Sequence, residues 1–361
     1  MGVFDRVAGE DYEQIIFSHD KSSGLRSIIA IHSTALGPAL GGTRFYPFAS
    51  EEEALVDVLR LAKGMTYKAA AAGLDLGGGK AVIIGHPNRD KSEELLRAYG
   101  RFLETLGGRY ITAEDVGTAR EDMDLVKRET KWVTGVSEHY GGSGDPSPVT
   151  AFGVYQGLRA VGMELWQTAD VSGKRFAVQG VGKVGYHVVK NLTEAGANVV
   201  ISDVDVDNLG RAVRDFSVET ESPDRIHALE CDVYVPCALG GVLNDDTIPE
   251  LRCAAVAGAA NNQLLSPGHG KLLEDREILY APDFIINAGG LINVADELRG
   301  YDKERALAQV MGIFHTLRRV FQTAKLEKMT SAEAADRFAE ERIRNIGRLK
   351  QIQVGSRIDW I

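Results

Sequence analysis

Residues 174–203 read KRFAVQGVGKVGYHVVKNLTEAGANVVISD, and the order of patterns in them decides the class of fold. A short apolar run, "RFAVQ", meets Gly180, Gly182 and Gly185 in G-x-G-x-x-G spacing. "KVGYHVVKNLTEAG" then puts Val184, Val188 and Leu192 on one helical face and stops at Gly196. "NVVIS" is a second apolar run, closed by Asp203. In a chain with 40 glycines the spacing alone says little. Set between a strand and a helix, in a unit of about thirty residues, it predicts a dinucleotide-binding βαβ.

Each residue of that loop has a physical task. Gly180 permits the tight turn, Gly182 lets backbone approach a pyrophosphate, and Gly185 lets helix and strand pack closely. Free N–H groups around Val181, Lys183 and Val184, with the positive end of the helix dipole, suit the phosphates. Asp203 would accept hydrogen bonds from the adenosine ribose and repel a 2′-phosphate. Asp205 and Asp207 add negative charge, and no Arg immediately follows. The expected cofactor is NAD rather than NADP.

Outward from this unit the pattern continues. "CDVYVPC", "AAVAGAAN" and "DFIINAGG" are expected as further strands between helices, the signature of a parallel, doubly wound sheet. Upstream, "HYGGSGDPSPVT" is the candidate hinge, followed by a helix from Thr150 to about Trp166. The first part mixes strands with helices. "LRSIIAIHST" and "RYITAED" read as strands, and Ser50 with Glu53 forms a capping box for a helix through about Ala72. Asp90 with Glu93 is expected to cap "ELLRAYGRFLETL", and Thr330 with Glu333 a last helix.

Composition excludes several classes. At 361 residues the chain suits two domains, and 44% apolar with 25% charged residues is ordinary for a soluble protein. A net charge of −10 without a basic patch argues against nucleic acid, and no apolar run suits a membrane span. The opening MGVFDRVAGEDYEQ predicts no signal peptide, and Arg6 breaks the myristoylation pattern behind Gly2, so a cytoplasmic location is expected. Cys231, Cys237 and Cys253 fit neither a disulfide framework nor a zinc site, and no metal is expected. "DVDVDN" imitates an EF-hand but has Asn208 where glycine is required, and "GLDLGGGKA" fails the Walker A pattern at Leu74 and Ala81.

Two lysines stand out. Lys68 shares a helical stripe with Leu61, Met65 and Ala72, so it either pairs with a carboxylate or snorkels past small alanines to solvent. Lys80 follows three glycines and opens an apolar strand, either as an ordinary loop lysine or as a base beside a second ammonium. Glu114 and Asp115 end a strand, either as catalytic groups, which α/β scaffolds commonly present there, or simply as a solvated strand end or a helix N-cap.

Together "GPALGGTRFYPF", "LAKGMTYK", "GLDLGGGKAVIIG", "RYITAEDVGT", "GDPSPVTAFGVYQG", "QGVGKVG", "GAANNQL" and "YAPDFIINAGGLINVADE" resemble the Glu/Leu/Phe/Val dehydrogenase family, in order from about residue 11 to 345. The likeness is strongest to its branched-chain amino acid members. It implies an α/β substrate domain over 1–148, a Rossmann-type NAD domain over 149–330, a cleft between them, and a helical return to the first domain over 331–361. It implies Lys68 on the substrate carboxylate, Lys80 and Asp115 in the chemistry, and backbone at Gly41 and Gly42 lining the site. Leu40, Met65, Ala113, Leu291 and Val294 match positions around the substrate side chain. Thr150, Cys237, Ala238, Asn261 and Asn287 match positions near the nicotinamide or the amino and carboxylate groups.

The implied activity is reversible oxidative deamination of leucine, valine or isoleucine to the 2-oxo acid and ammonia, by a homo-oligomer. "LDLGGGK" and "AGGLI" also resemble the phenylalanine members, which is the alternative. An inactive NAD-binding regulator is less consistent with intact Lys68, Lys80 and Asp115. A hydroxy-acid dehydrogenase would need a His–carboxylate pair, and the eight histidines offer no obvious one.

Overall fold

The computed structural model describes residues 3–7 and 11–351; Gly2 and the end of the C-terminal segment lie outside them. They gather into two compact units, residues 3–7, 11–134 and 337–351 in one and 135–336 in the other. The divisions fall at 134/135 and 336/337 rather than at 148/149 and 330/331. The cause is local hydrogen bonding. The Glu297 carboxylate accepts backbone N–H groups from Gly135 and Ser143, each at 2.8 Å, which ties the Gly-rich stretch to the second unit. Ser331 Oγ donates to the Tyr280 carbonyl at 2.6 Å, holding the start of the Ser331–Gly347 helix there too.

The first unit is built on five strands: β1 (Gln14–Asp20), β2 (Leu25–Ser33), β3 (Ala39–Tyr46), β4 (Gly77–Ile84) and β5 (Tyr110–Glu114). Their order is β1-β2-β4-β3-β5, with β1/β2 and β2/β4 antiparallel and β4/β3 and β3/β5 parallel. The Glu51–Ala71 helix lays Ala54, Leu55, Val58, Leu59 and Ala62 against Ile28, Ala30 and Val82 of the sheet. Its cap is Ser50, whose hydroxyl accepts from Glu53 N–H at 3.1 Å, while the Glu53 carboxylate reaches back to Ala49 N–H at 2.8 Å. The buried face is therefore not the line Leu61, Met65, Lys68 and Ala72. Those four are half-buried, at the edge of the contact. The Glu93–Glu104 helix is capped by Ser92 instead of Asp90, which closes the short Pro87–Asp90 helix and accepts from His86 N–H at 2.8 Å.

From Arg337 the last helix belongs to this unit. Ala339, Ile343 and Ile346 pack with Leu36, Tyr67 and Ala70, and Arg342 pairs with Asp75 at 2.8 Å.

The second unit carries an all-parallel sheet of β6 (Arg175–Gln179), β7 (Asn198–Ser202), β8 (Glu219–Thr220), β9 (Val233–Pro236), β10 (Ala255–Val256) and β11 (Leu279–Tyr280). The order β11-β10-β9-β6-β7-β8 reverses direction at β6, which opens a crevice at the carboxyl ends of β6 and β9. One expected strand is wrong. "DFIINAGG" forms the Asp283–Ile286 helix and the start of the Gly289–Asp296 helix, and the edge strand is Leu279–Tyr280. Short apolar runs that are buried on all sides carry no period to separate strand from helix. The preceding helix, Ser147–Leu165, starts ahead of Thr150, with Pro148 in its first turn. No helix among the described residues is long and apolar enough to cross a membrane.

A side chain at Gly78 would overlap the Thr66 backbone nitrogen of the covering helix, whereas one at Gly182 meets nothing within 4 Å. Gly78→Ala should thus cost on the order of 3 kcal/mol in chemical denaturation, and Gly182→Ala less than about 1 kcal/mol. Equal losses in the two variants would mean that the helix–sheet contact at Gly78 is slack.

Candidate functional site

Strand register in the first unit gathers the first set of residues. Leu40 pairs with Gly78 and Ile111, and Gly42 with Ala113. The same offset sets Lys80 beside Gly42. Side chains alternate across a sheet, so Leu40, Gly42, Arg44, Gly78, Lys80 and Ala113 share one face, the one that Thr66 covers at Gly78. Asp115 follows on from β5 on that face. Gly41 points the other way, and its carbonyl accepts from Tyr110 OH at 2.7 Å. Lys68 and Met65 sit half-buried on the covering helix.

Lys80 is 6% exposed, and its ammonium lies 3.1 Å from Asp115 Oδ2. Asp115 also accepts from Arg44 Nε at 3.1 Å. Arg44 in turn donates to Asp57 at 2.7 Å, and Asp57 pairs with Arg60 at 3.2 Å. Burial pushes the Asp115 carboxyl up, but the charges and hydrogen bonds of Lys80 and Arg44 outweigh it and hold the group below the usual carboxylate range. A Cβ on Gly42 would come within 2.9 Å of the Asp115 Cβ, so only glycine admits this carboxylate. The turn after β5 fixes it: Asp115 N–H donates to Thr118 Oγ1 at 2.9 Å, and that hydroxyl donates to the Thr43 carbonyl at 2.9 Å.

The opposite face is a buried hydroxyl network. Thr43 Oγ1 lies 2.6 Å from Tyr99 OH and 2.5 Å from Thr112 Oγ1. Burial pushes the Tyr99 hydroxyl up to about 12, so it stays neutral and binds β3 to β5 beneath the charged pair. The sequence reading missed this network and Arg44. Arg44 left a trace, because it continues the alternation of Leu40 and Gly42 on a strand whose other residues are small or apolar.

In the second unit the glycine loop has the expected build. Gly180 turns at φ +93°, and its N–H donates to the Ser202 carbonyl at 2.7 Å. A Cβ there would press on Ala238 at 2.8 Å, and one on Gly185 would overlap the Gly180 carbonyl. Gly182 is open at the N-terminus of the Lys183–Glu194 helix, with Val181 buried behind it and Lys183 exposed in front. Val188 and Leu192 are fully buried, and Val184 is half-buried. Asp203 accepts Val181 N–H at 2.7 Å and Asp205 N–H at 2.8 Å, so its carboxylate faces the loop.

A second cluster belongs to the same unit. Asn287 is 5% exposed and donates to Asn261 Oδ1 at 2.9 Å and the Ala259 carbonyl at 3.1 Å, while its own Oδ1 is buried without a partner. Thr150 lies against Gly290, where a Cβ would come within 2.6 Å of its hydroxyl. Leu291 is buried and Val294 half-buried on the helix that follows. Burial pushes the Cys237 thiol up to about 12, which leaves it a neutral packing residue, with Ala238 exposed beside it. An open helix N-terminus, a carboxylate turned to the loop and an unpaired amide oxygen fit a dinucleotide. No cluster of three or more His, Cys, Asp or Glu among the described residues is placed to hold a metal.

Comparison with known proteins agrees with this geometry. Residues 12–132 match the Glu/Leu/Phe/Val dehydrogenase dimerisation domain, and residues 141–207 and 204–345 match the Glutamate/Leucine/Phenylalanine/Valine dehydrogenase domain. Leucine dehydrogenase of Thermoactinomyces intermedius is 56% identical over 95% of this chain and 94% of its own. Valine dehydrogenase of Streptomyces virginiae is 55% identical over 92% and 94%. The crystal structure of L-tryptophan dehydrogenase from Nostoc punctiforme superposes with a TM-score of 0.85 at 45% identity, over 96% of this chain and 99% of that one. With both of its halves matched in order, the chain belongs to the Glu/Leu/Phe/Val dehydrogenase family.

Proposed function

We propose that the protein oxidatively deaminates L-leucine, and with it valine and isoleucine, to the 2-oxo acid and ammonia with NAD. The observation that carries the reading is the buried Lys80 ammonium held 3.1 Å from Asp115, beside a glycine, Gly42, that lets the carboxylate approach. NAD, bound at the glycine loop, supplies the hydride acceptor. Lys68 holds the substrate carboxylate. Lys80, having given up its proton, activates the water that adds to the iminium carbon, and Asp115 exchanges protons with the amine. Asn287 and Thr150 orient the reacting end.

Leu40 and Ala113 are buried and apolar on the Lys80 face, and Leu291 and Val294 are apolar in the second unit. The apolar Leu40 and Ala113 on that face support an aliphatic side chain. A methylene in such a pocket is worth about 1–3 kcal/mol, so preference among neighbours rests on small differences. The match of the first unit to a dimerisation domain supports a homo-oligomer. Three free thiols suit a reducing, cytoplasmic setting.

NADH formation followed with L-leucine, L-phenylalanine, L-glutamate and L-lactate in parallel tests the reading. Leucine should turn over fastest, glutamate and lactate hardly at all. Faster turnover of phenylalanine would transfer the assignment to the aromatic members. Lys80→Ala should lower kcat by a factor of about 100 to 10,000 while NAD binding, followed by fluorescence, persists. Ordinary turnover in that variant would refute the role given to Lys80.

The arginine makes a separate claim about pH. Arg44→Gln removes one of the two charges that depress the Asp115 carboxyl, so that group should titrate at higher pH. The acidic limb of kcat/KM should move upward, with partial rescue by added guanidinium. An unmoved limb would mean that Arg44 only braces the strand.

A further inference from the structure

Two cysteines outside the proposed chemistry lie together in the second unit. The parallel register of β9 and β10 pairs Val233 with Ala255 and Tyr234 with Val256. Two residues earlier on each strand, the same offset sets Cys231 opposite Cys253. The ladder runs on that far, since Cys231 N–H donates to the Arg252 carbonyl at 3.2 Å and Ala254 N–H to the Asp232 carbonyl at 3.0 Å. Both side chains pack against one hydrophobic cluster, with Tyr234 and Ile226, and both residues remain partly exposed. Neighbours in register stand about 4.8 Å apart. That lies within the Cα separation of about 4.4–6.8 Å that a disulfide spans.

We propose that Cys231 and Cys253 form a redox-active dithiol, which oxidised low-molecular-weight disulfides convert to a disulfide between adjacent strands. The two sulfurs have different parts. Hydrogen bonding from the Cys231 thiol lowers the Cys253 thiol, which burial alone would raise, and the Arg276 guanidinium adds to the lowering. Arg276 is held in place by the Ile248 and Leu251 carbonyls. The bond to Cys253, with burial, raises the Cys231 thiol, so Cys231 keeps the shared proton. Cys253 is therefore the attacking thiolate and Cys231 the resolving thiol.

The exchange balances in two steps. The Cys253 thiolate attacks one sulfur of RS–SR, that bond breaks, and RS⁻ leaves a mixed disulfide on Cys253. Cys231 loses its proton, attacks the Cys253 sulfur, and the second RS⁻ departs. The protein loses two hydrogens and RS–SR is reduced to two RSH. Cys237, just beyond the end of β9 and three residues past Tyr234, is out of register with Cys253 and takes no part.

The full chain, incubated with oxidised glutathione and then denatured, tests this by thiol counting and non-reducing tryptic mapping. Titratable thiols should fall from three to one, reversibly with reductant. The peptide 226–252 should be joined to the peptide 253–271. Cys231→Ser should abolish the joined peptide and leave a stable glutathione adduct on Cys253. Cys253→Ser should react several-fold more slowly at Cys231. A joined peptide that survives Cys231→Ser would come from Cys237 and overturn the proposal. So would wild-type protein that keeps three thiols, or that carries only mixed disulfides. None of these readouts depends on the dehydrogenase activity.

Discussion

An ammonium taken out of water into a sheet face is costly, of the order of several kcal/mol before compensation. The first unit is organised around meeting that cost at Lys80. Asp115 supplies the counter-charge, and Arg44, Asp57 and Arg60 continue an alternating series from the buried lysine to the surface of the covering helix. Each member answers the charge before it, so no carboxylate or cation along the line is left alone. Without Gly42 the carboxylate could not approach, and without Gly78 the helix bearing Asp57 could not seat.

The sheet beneath is rigid for the same reason. A lysine held by one carboxylate keeps its direction only if the two strands that carry them keep their spacing. The Thr43, Tyr99 and Thr112 hydroxyls hold β3 and β5 together on the far side, and Tyr110 closes onto the Gly41 carbonyl. Polar groups buried in this way are tolerable because each has a partner, and a satisfied network fixes geometry better than an apolar contact would.

The Rossmann-type unit was legible in the sequence because its determinants are local. Gly180, Gly182, Gly185 and Asp203 lie within one βαβ, and chain order alone fixes their juxtaposition. The Lys80 centre is different. Lys80, Asp115 and Arg44 come from three strands, and register, which spacing does not encode, brings them together. Likeness to a family supplied the first two. Arg44 stayed hidden because an arginine on an alternating strand reads as a solvated outward residue. The errors have the same root. "DFIINAGG" carries a strand composition, yet Pro282 and the buried surroundings turn it into helix. Asp90 and Ser92 are both good caps, and the choice between them depends on where the short Pro87–Asp90 helix ends.

At the glycine loop the proposed preference for NAD over NADP needs no residue beyond those that shape the turn. Asp203 is already committed to the loop, one oxygen to Val181 N–H and the other to Asp205 N–H. These bonds orient the carboxylate and leave lone pairs for hydroxyl donors. Asp205 spends one oxygen on the N–H groups of Asp207 and Asn208 at the start of the Val206–Phe216 helix, but keeps its charge. A ribose hydroxyl can donate into this arrangement, whereas a 2′-phosphate brings charge of the same sign and no donor. Structural bonds that shape the turn would thus produce the proposed discrimination as a by-product. Neutralising Asp203 would loosen the turn itself as well as the proposed ribose contact, so the fold and the proposed specificity at this corner are tied together.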